Sequence, residues 1–312
     1  MENNIVMITD EGYVLPTIVA LSSMKVNLAK NIYHVYLLVD NISAESRSLF
    51  KKIETDYFKL SIIDVDSSSY NGVEKSYSNV TKASLLKFSI PTYLRSVEKA
   101  LYIDGDVIVR GDLSVLFKIE LDDKYAVVIS DGPKTTVDGG KQHAFYGDPD
   151  YFNSGVMLLN LQKMRKDNIS SKLIDYRLHG YNYFMDQDAF NIILGKNVIH
   201  VGVEYDFMLH LISYKNEGFS LQQLISFYKL KNYNTIDELF EHVVILHYTF
   251  DKPWKYYDIP FNEEWMAYFK QSPMSYKKLD RKSYMSEMYL SKPFTIGRWI
   301  ADITRPLRKL KK

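Results

Sequence analysis

The chain has 312 residues, enough for one large α/β domain or for one domain with an appendage. It has no cysteine, which removes thiolate catalysis and cysteine-held zinc or iron–sulfur sites and fits a reducing compartment, and its formal net charge of +1 offers no bulk attraction to nucleic acid. No apolar run is long enough to span a bilayer, and Met1-Glu2-Asn3-Asn4 lacks the basic and then apolar pattern of a secretory signal, so a cytoplasmic protein with no nucleic-acid partner is expected.

Asn4 to Thr9 reads as a buried first strand, and Leu15 to Leu28 as an apolar-rich helix after it. Tyr33 to Val39 gives a second strand, Ser43 to Glu54 a helix capped by Ser43, and Phe58 to Val65 a third strand. A polar loop is expected from Asp66 to Asn79, then a helix over Thr81 to Leu94 that Pro91 bends or ends. Ala100-Leu101-Tyr102-Ile103 is the next strand; Tyr125 to Ser130, Gly155 to Leu159, Val198 to Val201 and Val243 to Leu246 read as later ones. Alternating strands and helices over the first third of the chain predict an α/β fold, with a mainly parallel sheet flanked by helices and ligands at the carboxyl ends of its strands. Asp10 and Asp104 both stand at such ends. The alternation gives way near Tyr256 to a Tyr-, Lys- and Met-rich tail, so residues 1–255 read as one domain and 256–312 as a C-terminal extension.

Asp104-Gly105-Asp106 is the densest chemical signal. Side chains two residues apart on an extended backbone point the same way, so two carboxylates can reach one point at a strand end and hold a hard divalent cation. Read alone, the same tripeptide is more often a solvated turn or a cap than a metal site. His247 closes the apolar run Val243-Val244-Ile245-Leu246, and Lys252 follows as a compact cation suited to a phosphate. Two carboxylates and an imidazole suit Mn²⁺ or Mg²⁺, with phosphate oxygens and water completing the shell. Asp186-Gln187-Asp188 precedes the helical pattern Ala189, Phe190, Ile192, Ile193. It reads either as an acidic helix start favoured by the macrodipole or as one wall of a sugar pocket, since carboxylate and carboxamide groups pair with vicinal hydroxyls. Asn153 and Gly155, before the apolar run Val156 to Leu159, offer a hydroxyl partner and a close backbone approach, or simply a turn.

Taken in order, Ile8 to Tyr13, Leu101 to Val109, Phe152 to Asn160, Asp186-Gln187-Asp188 and His247 to Trp254 resemble the motifs of family 8 glycosyltransferases, retaining enzymes of the GT-A fold. The resemblance implies a Rossmann-like GT-A sheet with a nucleotide-sugar half over about 1–110 and an acceptor half over about 111–255. It implies Asp104, Asp106 and His247 as Mn²⁺ ligands, Asp10 and Tyr13 as contacts to the uracil of a UDP-sugar, and Lys252 as a diphosphate contact. Asn153, Asp186 and Gln187 match positions lining the donor sugar and reaction centre, Asp188 a neighbour of less defined role, and Asp131 an acidic residue near donor and acceptor. The chain departs from the family at several points. Lys87 stands where the helix before the metal motif usually carries an arginine near the donor, Gly12 replaces a frequent polar base or ribose contact, and Phe250 occupies the usual glycine three residues after the histidine. The step from His247 to Lys252 is one residue short.

The resemblance implies a hexosyltransferase that moves glucose or galactose from UDP-glucose or UDP-galactose to a saccharide, glycolipid or glycoprotein acceptor. A nucleotidyltransferase is the rival chemistry, but it needs a basic Gly-rich loop after the first strand, where Thr9-Asp10-Glu11-Gly12-Tyr13 is acidic. A non-catalytic sugar-nucleotide binder is the second rival. Residues 297–312 interleave Trp299, Ile300, Ile303, Leu307 and Leu310 with six cations, a pattern suited either to peripheral contact with the inner face of the cell membrane or to a solvated tail.

Overall fold

The computed structural model describes residues 3–28, 31–70, 82–133, 147–179, 184–212, 219–231 and 233–286. Ten strands are described: β1 Asn3–Asp10, β2 Tyr33–Asp40, β3 Phe58–Asp64, β4 Lys99–Ile103, β5 Val107–Val109, β6 Ala126–Ser130, β7 Phe152–Asn160, β8 Val198–His200, β9 Phe207–Met208 and β10 Ile245–His247. Seven form one sheet in the order β3-β2-β1-β4-β7-β6-β8. The pairs β3-β2, β2-β1, β1-β4 and β6-β8 are parallel, and β7 runs antiparallel between β4 and β6. A second, three-stranded sheet has the order β5-β10-β9. The arrangement is the mixed, mainly parallel α/β sheet expected from the sequence.

Strand alternation divides the core into two layers. Ile5 and Met7 of β1, Leu101 and Ile103 of β4, and Val156 and Leu158 of β7 enter one layer; Val6, Ile8, Ala100, Tyr102, Met157 and Leu159 enter the other. The helix Val14–Asn27 covers the first layer, while the helix Met185–Leu194 and the segment Lys82–Ser89 cover the second. Ser43 caps the helix Ala44–Lys51 by accepting from the Ser46 N–H at 3.1 Å. Trp265 and Phe269 of the helix Asn262–Gln271, with Met274 and Tyr284, belong to the first layer.

The helix expected over Thr81 to Leu94 takes a tighter form. Lys82–Ser89 is a 3-10 helix and Ile90–Tyr93 a single α turn, with Pro91 inside that turn's start. Over eight residues, periods of 3.0 and 3.6 place Leu85, Leu86 and Phe88 on nearly the same buried side, so the apolar pattern does not separate the two. Of the loop expected from Asp66 to Asn79, Ser67–Tyr70 forms a 3-10 turn, and 71–79 lie outside the described residues, as do Thr81 and the basic segment 297–312. Among the described residues no helix is long and apolar enough to cross a membrane.

Candidate metal and nucleotide-sugar site

The site forms where β4 ends and β7, running the other way, brings its own small residues alongside. Ile103 pairs with Val156, so Gly155 faces Asp104, whose N–H donates to the Gly155 carbonyl at 2.8 Å. The chain then turns through Gly105 and Asp106 into β5, which pairs antiparallel with β10 so that Val107 stands opposite His247. The Tyr248 N–H donates to the Asp106 carbonyl at 2.9 Å, fixing the second carboxylate beside the imidazole. His247 thus lies inside the last strand, one residue further along than the sequence pattern ended it.

Asp104, Asp106 and His247 each offer one ligand atom, all within 4.8 Å of one another. His247 Nε2 is 3.3 Å from Asp106 Oδ1 and 4.0 Å from Asp104 Oδ2. Its Nδ1 is 2.9 Å from Asp206 Oδ1, so a buried carboxylate holds one ring nitrogen and leaves the other aimed at the aspartates. A Cβ at Gly155 would stand 2.4 Å from His247 Cε1 and 2.9 Å from Asp104 Oδ2. This is a bare-backbone cradle beside a hard-oxygen and imidazole donor set, and it fits a divalent cation.

Two lysines frame these three side chains. Lys87 Nζ pairs with Asp104 Oδ1 at 3.2 Å and Asp186 Oδ2 at 2.8 Å, and donates to the Ser154 carbonyl at 3.3 Å. Lys252 Nζ pairs with Asp106 Oδ2 and donates to the Tyr248 carbonyl at 2.6 Å. The shortened spacing after His247 therefore still delivers an ammonium to the second carboxylate. Burial opposes charge on all these groups, and their mutual attraction decides the outcome. Burial alone would lower the Lys87 pKa, but Asp104 and Asp186 carry it above the ordinary lysine range. Burial would raise Asp106, yet Lys252 and His247 hold it well below the carboxylate range; burial with the nearby Asp106 leaves Asp104 raised despite Lys87. Burial would lower His247, but Asp206 and Asp106 raise it to about 10.

The other predicted residues ring this centre. Asp10 ends β1 and accepts from the Tyr13 N–H at 3.0 Å; Tyr13 turns its hydroxyl to Asp106 Oδ2 at 3.5 Å and packs edge-on against Trp254 at 5.7 Å. Asp186 and Gln187 open the helix Met185–Leu194, and both are held by Ser154: its hydroxyl donates to Asp186 at 2.9 Å and its N–H to Gln187 Oε1 at 3.3 Å. Asn153 accepts from the Gly155 N–H at 2.7 Å and donates to Asp131 Oδ1 at 3.0 Å. Asp188 is engaged inside the fold, one oxygen accepting from the Tyr151 hydroxyl at 2.6 Å and the other from the Phe184 N–H at 2.9 Å. Within the acidic triplet, Asp188 holds the helix start, whereas Asp186 faces Lys87.

Sequence reasoning passed over Asp206, Ser154 and Tyr102, whose hydroxyl donates to Asp104. Asp206 carried one usable signal, a carboxylate directly before the apolar run Phe207-Met208-Leu209. Its partner stands 41 residues away in the chain, and the parallel pairing of β9 with β10 brings the two together.

The fold and the carboxylate pair at the end of β4 define a GT-A architecture. The galactosyltransferase LgtC, solved with donor and acceptor sugar analogues, superposes with a TM-score of 0.67 over 86% of this chain and 96% of its own at 21% identity. Residues 4–258 match the model of glycosyl transferase family 8, and the chain belongs to that family. Glycosyltransferase GlyF of Streptococcus pneumoniae is 23% identical over 315 residues, covering 97% of this chain and 71% of GlyF. The lipopolysaccharide 1,2-glucosyltransferase of Escherichia coli is 26% identical over 174 residues, covering 53% of this chain and 50% of that enzyme. The chain thus spans between half and about seven tenths of these two curated relatives.

Proposed function

We propose that the protein is a retaining hexosyltransferase that uses Mn²⁺, with Mg²⁺ as substitute, to transfer glucose or galactose from a UDP-sugar to a saccharide, glycolipid or glycoprotein acceptor. The observation that carries this reading is the convergence of Asp104, Asp106 and His247 within 4.8 Å, flanked by two lysines, at the strand ends of a family 8 chain. Asp104, Asp106 and His247 would hold the metal, which when bound supplies Lewis-acid neutralisation of the departing diphosphate.

The chain's own groups do the rest. Lys252, now paired with Asp106, is placed to exchange that carboxylate for a phosphate oxygen as the leaving group gains charge. Lys87 ties Asp104 to Asp186, so the diphosphate side and the sugar side are fixed to one ammonium. Asp186 and Gln187, both oriented by Ser154, present oxygens to a sugar whose anomeric carbon becomes positive. Asn153, against Gly155, is assigned to the donor sugar and reaction centre, and Asp131, which accepts from it, to the region between donor and acceptor. Retention follows if the acceptor hydroxyl attacks on the face UDP leaves, with the leaving phosphate taking the proton. A covalent intermediate on a carboxylate is the competing path; Asp188, with both oxygens committed within the fold, is the less suited of the two candidates, which leaves Asp186.

Asp10 and Tyr13 are assigned to the uracil, residues 1–255 to catalysis, and 256–312 to an extension whose first helix packs on the catalytic core. Contact of 297–312 with the inner membrane face would suit a lipid-linked acceptor; its deletion is expected to lower binding to anionic vesicles, and unchanged binding rejects the contact. For the reaction itself, incubation with UDP-glucose or UDP-galactose and Mn²⁺, without acceptor, is expected to release UDP slowly and to stop on chelation. No UDP release from either donor would leave a binding protein rather than a transferase.

A further inference from the structure

Phe250 combines two features that a folding argument alone leaves unexplained. Its φ is +65°, in the left-handed region that bulky side chains rarely enter, and its side chain is 68% exposed. The backbone is held there from both sides. His247 is paired in β10, the Thr249 N–H donates to the His247 carbonyl, the Asp251 N–H to the Thr249 carbonyl, and Lys252 is anchored on Asp106. A glycine would carry this turn without strain, and an exposed phenyl ring gains nothing from burial.

The ring's position gives it a use. It packs edge-to-face on the imidazole of His210 at 5.8 Å and 75°. His210 Nε2 is 3.0 Å from the Asp131 carbonyl, and its Nδ1 is 3.2 Å from Thr249 Oγ1, so one imidazole ties the Phe250 turn to the end of β6. Asp131 in turn accepts from Asn153 beside the Gly155 cradle. Phe250 is therefore two residues from Lys252 in the chain and is joined through His210 to the carbonyl of Asp131. The groups assigned to the donor sugar gather around Lys87 and Asp186, and those assigned to the uracil around Tyr13 and Trp254. The remaining ligand of a glycosyl transfer is the acceptor.

We propose that Phe250 is an acceptor platform, an aromatic face on which a pyranose ring stacks by its C–H side while its hydroxyls point towards Asp131. A pyranose suits this surface because it has an apolar face and a polar edge, and an aromatic ring matches the first without needing hydrogen bonds. The inference rests on the transferase reading above and adds the residue that selects the acceptor's chemistry.

The test uses p-nitrophenyl glucosides and galactosides, in both anomers, as acceptors with UDP-glucose or UDP-galactose and Mn²⁺. Phe250→Ala is expected to raise the acceptor KM about three- to tenfold, the range of one aromatic stacking contact, with a smaller change in kcat. Phe250→Tyr is expected to restore the wild-type value, and the affinity of Phe250→Ala for UDP with Mn²⁺ is expected to stay within about twofold of wild type, less than one stacking contact. An unchanged acceptor KM overturns the proposal. So does a matching loss of UDP affinity, which would make Phe250 a base-stacking residue, and so does a wild-type protein that releases UDP yet glycosylates no pyranoside. A wild-type protein that neither binds UDP with Mn²⁺ nor releases it from a donor fails at the transferase reading instead.

Discussion

Replacing Asp206 by asparagine isolates the least expected member of the site. The carboxylate is fully buried, one oxygen lies 2.9 Å from His247 Nδ1, and the other has no hydrogen-bond partner among the described residues. Its charge fixes which imidazole nitrogen carries the proton and makes Nε2 a better metal ligand. Loss of such a partner lowers metal affinity by about 10- to 100-fold, or about 1.4 to 2.7 kcal/mol. Asparagine keeps an oxygen able to accept from Nδ1, so Asp206→Asn is expected near the tenfold end; Asp206→Ala, which also leaves a cavity, is expected near the hundredfold end. Calorimetric titration with Mn²⁺ alone measures both. Wild-type Mn²⁺ affinity in both variants would refute the role given to Asp206 and the assignment of His247 Nε2 as ligand.

Other outcomes follow from neighbouring contacts. Gly155→Ala would push a methyl to within 2.4 Å of His247 Cε1 and 2.8 Å of Asn153 Oδ1, so Mn²⁺ affinity should fall and the unfolding free energy should drop by about 1–3 kcal/mol, as for an overpacked core; unaltered Mn²⁺ titration curves would contradict the cradle. Lys87→Met leaves Asp104 and Asp186 facing each other without their cation, so the metal-free protein should lose about 3 kcal/mol by denaturant titration and Mn²⁺ should recover part of it; equal stability of variant and wild type would show that the ammonium matters little. His247 is raised to about 10 in the metal-free fold from an ordinary value near 6.5, so it stabilises the fold fully below about pH 6.5 and that contribution is lost as pH climbs through about 10. Thermal melts without metal should therefore fall across that window, and less steeply in His247→Gln; the same slope in both would reject the assignment.

Much of the scaffold was legible because its signals are local. The apolar runs of β1 and β2 give strand positions within a residue, since a strand buried on both faces admits few polar side chains. The carboxylate pair was legible for the same reason, as it interrupts an apolar run. Tertiary pairing hid the rest. β7 begins at Phe152, so Asn153 and Ser154 are strand residues before the apolar stretch starts, with Phe152 opposite Ser130 and Asn153 opposite Ile129 of the neighbouring β6. Asp206 meets His247 through a two-residue strand, too short to leave a period in the sequence. Lys87 could be read as a substitution, but its reach from Asp104 to Asp186 depends on the 3-10 form of its segment and on the neighbouring helix start.

The central claim is that Asp104, Asp106 and His247 bind a metal that in turn binds a nucleoside diphosphate. Titration of UDP with and without Mn²⁺, in wild type and in His247→Gln, tests it most directly. The account predicts that Mn²⁺ raises wild-type UDP affinity by at least about tenfold, about 1.4 kcal/mol, and that the variant loses most of this gain. UDP affinity indifferent to Mn²⁺, or a gain that survives in His247→Gln, would contradict it.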